Sequence, residues 1–229
     1  MLDYELYYWE LPFRGHFIQL FLEEVRANYR MLDAGELYPD RNLDVHYPGM
    51  APPYLYDCKA KAFFSQMPAI LMHLGHAHDY LPGEAEKQTL ALKVILDCND
   101  ILMEITNHNG LVMWDSERWE EFRAKRLADW MRLFEKTGQE HRLEVDQGHI
   151  LGPKITVADI ATTALFGQMV HSFPPLAKDL RETAPLIASL CQRIESRDSI
   201  RPFLEKQRRD RGEAYCGGQI EDSLRKVIR

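Results

Sequence analysis

Residues 52–74 read PPYLYDCKAKAFFSQMPAILMHL, and the order of signals in this stretch decides the fold. Pro52-Pro53 interrupt the chain, and Tyr54-Leu55-Tyr56 follow as a short β-prone run. Ala60 to Phe64 form a second run that can pair with the first as a hairpin. Pro68 to Leu74 predicts a helix, with Pro68 suited to a first turn, where its missing N–H costs nothing. Upstream, Tyr4 to Trp9 (YELYYW) predicts an aromatic-rich strand. Phe17, Ile18, Phe21, Leu22 and Val25 recur at helical spacing, and Tyr29 to Leu32 predicts another strand. The first part of the chain is therefore β-α-β followed by β-β-α. His78 to Gly83 (HDYLPG) is rich in turn formers and marks a linker.

Downstream of the linker the signals turn helical. Leu90, Val94, Ile95, Ile101, Leu102 and Ile105 predict one long amphipathic helix, and Trp119 to Glu135 another. Thr156-Val157-Ala158-Asp159 places an N-cap and an acidic residue three positions apart, with Ile155 and Ile160 able to clasp it as a hydrophobic staple. Pro185 to Ser196 predicts a further helix, and Pro202-Phe203-Leu204 the start of a short one. The expected organisation is an α/β domain over residues 1–82 and an all-helical domain over residues 83–229.

Composition narrows the function. Lys and Arg number 28 against 35 Asp and Glu in 229 residues, a net charge of -7, so no basic surplus draws nucleic acid or an anionic membrane. No apolar run reaches the ~20 residues of a membrane span, and Met1 to Glu5 predicts no secretory leader. The four cysteines stand far apart with no CxxC, which removes a zinc ribbon and predicts a reducing, cytoplasmic setting. His73, His76 and His78 suit the negative end of a helix rather than a metal, and no metal is expected. Lys206 to Arg211 reads as a solvated basic run.

Several separated motifs together resemble the cytosolic glutathione S-transferases of the tyrosine type. Tyr4 to Trp9 followed by Arg14-Gly15 resembles the first strand and its Arg-Gly turn. Pro53-Tyr54-Leu55-Tyr56-Asp57 resembles the stretch that begins with a cis-proline. Gln66 to Gly75 resembles the helix that follows the hairpin, and Gly152 to Asp159 the buried helix cap. The resemblance implies a thioredoxin-like domain followed by a helical bundle, and a homodimer that uses glutathione as co-substrate. It implies Tyr8 as the thiol contact, with Tyr7 as the alternative on the opposite face of the strand. Arg14, Pro52, Pro53, Gln66, Met67 and, across a dimer, Asp100 then hold glutathione. Trp9 and Tyr215 border the acceptor pocket. The implied chemistry is attack of the glutathione thiol on a small hydrophobic electrophile; the alternative is a non-catalytic relative that binds apolar ligands or acts as a structural dimer. A cysteine-type enzyme would need its thiol near the start of the first helix, and none is expected there.

Three positions depart from that pattern. Met67 replaces a serine whose hydroxyl holds the γ-glutamyl carboxylate, an interaction worth about 1.5–3 kcal/mol. Pro52 lacks the N–H that the family donates to the cysteinyl carbonyl, a loss of ~1 kcal/mol. His16 stands where Glu or Arg is common. The first two together predict binding weaker by ~10- to 1000-fold where nothing compensates.

Overall fold

The computed structural model describes residues 1–37 and 49–228. Strand β1 (Tyr4–Tyr8) lies inside a four-stranded sheet of order β2-β1-β3-β4. It pairs in parallel with β2 (Tyr29–Asp33), so the connection must cross over, and helix α1 (Arg14–Glu24) makes that crossover. It pairs antiparallel with β3 (Tyr54–Asp57), which turns back as β4 (Ala62–Ser65). The Pro52–Pro53 peptide is cis. Helix α2 (Met67–Ala77) closes this thioredoxin-like unit.

Nine of the eleven residues of α1 are buried, because it lies between the sheet and the helical half of the molecule. That half begins with α3 (Ala85–Ile105). A left-handed turn over 107–109 follows. Helix α4 (Ser116–Glu121) runs through a wider π turn, Phe122–Leu127, into α5 (Ala128–Glu140). Helices α6 (Val157–Ser172), α7 (Leu176–Thr183), α8 (Pro185–Glu195), α9 (Arg201–Arg211) and α10 (Gly218–Val227) complete it.

The short helix at Pro202 extends to Arg211 and carries the basic run. The tail beyond Gly217 folds as α10. Its charged residues mask a short amphipathic pattern in which Leu224 is the buried anchor. No described helix is long and apolar enough to cross a membrane.

Helix α6 is buried over fourteen of its sixteen residues and packs against α1, α3 and α8. Its first turn holds the polar groups that make this possible. Asp159 is fully buried, and its Oδ2 accepts the Thr156 N–H at 2.7 Å and the Thr156 hydroxyl at 2.9 Å; Oδ1 accepts the Ile150 N–H at 2.7 Å. The linker is tied in beside it, where Val157 N–H donates to the Tyr80 carbonyl at 2.9 Å. The Tyr80 hydroxyl in turn donates to buried Glu24 on α1 at 2.9 Å, and Glu24 also receives Arg197 and Ser199. These bonds join linker, α1 and helical half in one network.

Asp159→Ala removes acceptors from three buried donors, so it is expected to cost about 3 kcal/mol or more. Urea unfolding measures this directly; a midpoint unchanged from wild type would show that the cap is not holding α6.

Candidate functional site

The strand registers build one edge of the site. Tyr7 stands opposite Tyr54, and Tyr54 opposite Ser65. The next residues along, Tyr8, Pro53 and Gln66, therefore end in a row at one end of the sheet. Against that end, where the start of α1 meets the left-handed turn and the tail, lies a cavity of about 500 Å³. Trp9, Leu11, Phe13 and Ile220 supply its apolar wall; Tyr8, Arg14, Thr106, Asn109 and Cys216 supply the polar side.

Tyr8 is 5% exposed, and its ring packs directly on Gly15. A Cβ at residue 15 would come within 2.3 Å of the ring, which is why the Arg-Gly turn carries glycine. The phenol oxygen accepts the Arg14 backbone N–H at 3.1 Å. Its acceptor side is thus engaged while its own proton goes to no described partner. Burial pushes its pKa up to about 12, against the opposing pull of the Arg14 charge and nearby N–H groups. Tyr8 is therefore a donor at neutral pH, and it cannot act as a base. Tyr7 turns elsewhere: its hydroxyl donates to Glu5 at 2.9 Å and its ring meets Phe63.

Arg14 is the only charged residue on the cavity wall among those described. Its guanidinium donates to Asn99 Oδ1 at 3.4 Å and to Asn109 Oδ1 at 3.3 Å, and lies 4.9 Å over the Phe13 ring. Burial lowers its pKa, the signature of a cation partly stripped of water.

The other candidates distribute as follows. Pro52 and Trp9 line the cavity. Gln66 is exposed at the N-cap of α2, held at φ 69°, a costly backbone for a residue with a side chain. Met67 is 1% exposed, its side chain spent on the core; what it offers outward is the backbone N–H of a helix start. Asp100 is exposed on α3, away from the cavity, and its neighbour Asn99 is the residue that reaches Arg14. Tyr215 needs correcting: it is 1% exposed, packed edge-on to Phe13 and Phe173, and stands behind the wall instead of bordering the pocket. His16 is buried and neutral, its pKa driven to about 3 by burial, and it hydrogen-bonds Gln207 at 3.2 Å.

Cys216 corrects a second reading. A thiol does stand at the start of α1, brought there by the far end of the chain. Glu221 accepts the N–H groups of Tyr215, Cys216 and Gly217, and so fixes this segment against the cavity. Burial and the Glu221 charge push the Cys216 pKa up to about 12, so it remains a protonated thiol and a poor nucleophile.

Residues 90–227 match the model of the glutathione S-transferase C-terminal domain. The chain belongs to the glutathione S-transferase family. It is 27% identical over 216 residues to glutathione S-transferase Mu 6 of Mus musculus, covering 88% of this chain and 90% of that one. The solved pi-class glutathione S-transferase of Onchocerca volvulus superposes with a TM-score of 0.75 at 19% identity, covering 96% of this chain and 99% of that one. NaGST-2 superposes with a TM-score of 0.71 at 17% identity, over 90% of this chain and 97% of its own. These two structures establish a thioredoxin-like domain followed by a helical domain as the fold.

The high pKa of Tyr8 makes an optical prediction. Tyrosinate absorbance of wild type and Tyr8→Phe should superimpose through pH 10 and diverge only as about pH 12 is approached. A difference of one ionising phenol near pH 10 would mean that Tyr8 is not buried as described.

Proposed function

We propose that this family member conjugates glutathione to small hydrophobic electrophiles, with residues 1–82 binding glutathione and residues 83–229 contributing most of the acceptor wall. The observation that carries the reading is the state of the Tyr8 hydroxyl: its oxygen is occupied by the Arg14 N–H, and its proton points to no described partner in a cavity that also holds a cation. Such a hydroxyl suits the donation of a hydrogen bond to a thiolate.

Glutathione is an extended peptide with two carboxylates. The row Gln66, Pro53, Tyr8 supports a pose running from the α2 N-terminus, where the γ-glutamyl carboxylate meets the N–H of Met67, to the sulfur at Tyr8. Pro52 lines the path without an N–H, so the central carbonyl gains nothing from it. A free thiol ionises near pH 8.5, leaving a few per cent thiolate at neutral pH. Lowering that by ~2 units takes about 2.7 kcal/mol, within reach of one charge-assisted hydrogen bond and the Arg14 charge. The thiol proton leaves to solvent, sulfur attacks the electrophilic carbon held against Trp9, Leu11 and Phe13, and Tyr8 stays protonated throughout.

A homodimer through α3 belongs to the same reading. Leu90 and Leu96 on that helix are 37% and 44% exposed, and a partner would cover them. Asp100 on the same helix would then face the partner's glutathione. The net negative charge and scattered cysteines support a cytoplasmic setting.

Glutathione titration by calorimetry, followed by turnover of an aromatic electrophile, tests the proposal. Tyr8→Phe should lower turnover at neutral pH by ~10- to 100-fold, leave glutathione affinity nearly unchanged, and recover much of the deficit at alkaline pH. Equal activity of wild type and Tyr8→Phe at neutral pH would remove Tyr8 from the chemistry; absence of glutathione binding would remove the function.

A further inference from the structure

Several arginines of this protein pair with carboxylates; Arg14, like half-buried Arg193 and Arg211, has none among the described residues. Arg123 pairs with Asp179, Arg197 with Glu24, Arg208 with Glu195 and Arg225 with Glu221. Arg14 meets two neutral amide oxygens, from Asn99 and Asn109, and no described carboxylate. A partly desolvated cation without a counter-charge is unfavourable, and an aspartate in either place would be the stronger acceptor.

Asn109 is also costly to place. Asn107, His108 and Asn109 have φ of 45°, 56° and 58°, three consecutive non-glycine residues in the left-handed region. Asparagine enters that region more readily than most residues, yet a run of three is unusual for L-residues. The Thr106 hydroxyl accepts the Asn109 N–H at 3.2 Å, and the Thr106 carbonyl accepts the Gly110 N–H at 2.6 Å, closing the turn so that Asn109 reaches Arg14.

We propose that Asn99 and Asn109 form a neutral clamp that positions the Arg14 guanidinium at the cavity without cancelling its charge, leaving that charge to favour the anionic sulfur of bound glutathione. Asn99 and Asn109 are positioning residues, acting through Arg14. The inference rests on the proposed function and refines it. An acidic clamp would orient Arg14 more tightly while lowering the potential at the sulfur; a neutral one separates orientation from neutralisation.

The titratable groups facing this corner are Tyr8 from β1 and Tyr215 and Cys216 from the tail, with Glu221 behind Cys216; His108 lies in the turn beside Asn109, and Asp100 follows Asn99 on α3 but points away. Burial keeps Tyr8, Tyr215 and Cys216 protonated through the neutral range. His108 is removed as a confounder by measuring in a His108→Gln background, and Asp100 by repeating in Asp100→Asn.

The test is the ultraviolet thiolate absorbance of the protein–glutathione complex as a function of pH, with calorimetry confirming saturation. Asn109→Asp keeps the shape and the acceptor but adds a negative charge. It should raise the pKa of the bound thiol by about one unit, about a tenfold loss of thiolate at neutral pH. Asn109→Gly relieves the left-handed backbone and so keeps the fold, but frees the guanidinium; it should raise the pKa by less and lower kcat with little change in the electrophile KM. A bound-thiol pKa equal to wild type in Asn109→Asp overturns the clamp, since a merely structural asparagine would alter stability alone. Saturation of wild type without any thiolate signal would sink the Tyr8 reading, and the clamp with it.

Discussion

Asp159 lies out of solvent at the first turn of the helix on which both halves of the molecule lean, and its carboxylate is shared among Thr156 and Ile150. A helix buried on all sides has no water to satisfy its first N–H groups, so its start must be capped from within the protein. Once α6 is capped, α1 and α3 have a fixed surface to pack on, and the Tyr80 carbonyl has a donor at Val157. Glu24 then carries the constraint to the sheet, because it ends α1 while receiving groups from the linker and the helical half. The position of Tyr8 follows from this chain of contacts: α1 is set against α6, and Gly15 at the start of α1 lets the Tyr8 ring lie flat on it.

The chemistry of the cavity rests on a division of labour between backbone and side chain. The Arg14 N–H occupies the Tyr8 oxygen, while the Arg14 side chain runs the other way, to Asn99 and Asn109. One residue thus orients the phenol and supplies the cation. Burial acts in the same sense on Tyr8 and Cys216, holding both in their protonated forms. The low-dielectric corner that disfavours anions on the protein leaves Arg14 as the group with charge to offer a substrate.

The parts legible in the sequence were those set by short-range signals. β1 announced itself through an aromatic run, α2 through Pro68, and the α6 cap through Thr156 and Asp159 three residues apart. Tyr8 and Arg14 were visible because the Arg-Gly turn follows the strand directly. Asn109 and Cys216 were not, since each reaches the cavity by a contact with no local signature: one through a left-handed turn, the other through a tail pinned by Glu221. Tyr215 looked like a pocket residue for the same reason. Adjacent side chains in an irregular segment face different ways, and only the packing of Phe13 and Phe173 decides which one is hidden. Met67 was readable as a missing hydroxyl but not as a core residue, because its burial depends on what lies under α2.

The closing of the cavity by Cys216 and Ile220 against Tyr8 and Arg14 joins segments about two hundred residues apart, a loop closure whose entropy is recovered only when everything between has folded. A cavity assembled this way belongs to the slowest, most global level of the folding hierarchy, and no local unit can retain it alone. Subglobal opening of the tail would unroof the corner around Arg14 and readmit water, raising the local dielectric before the sheet or α6 had moved. The resistance of this corner to hydrogen exchange therefore gauges how firmly the tail stays docked on a fold that is otherwise native.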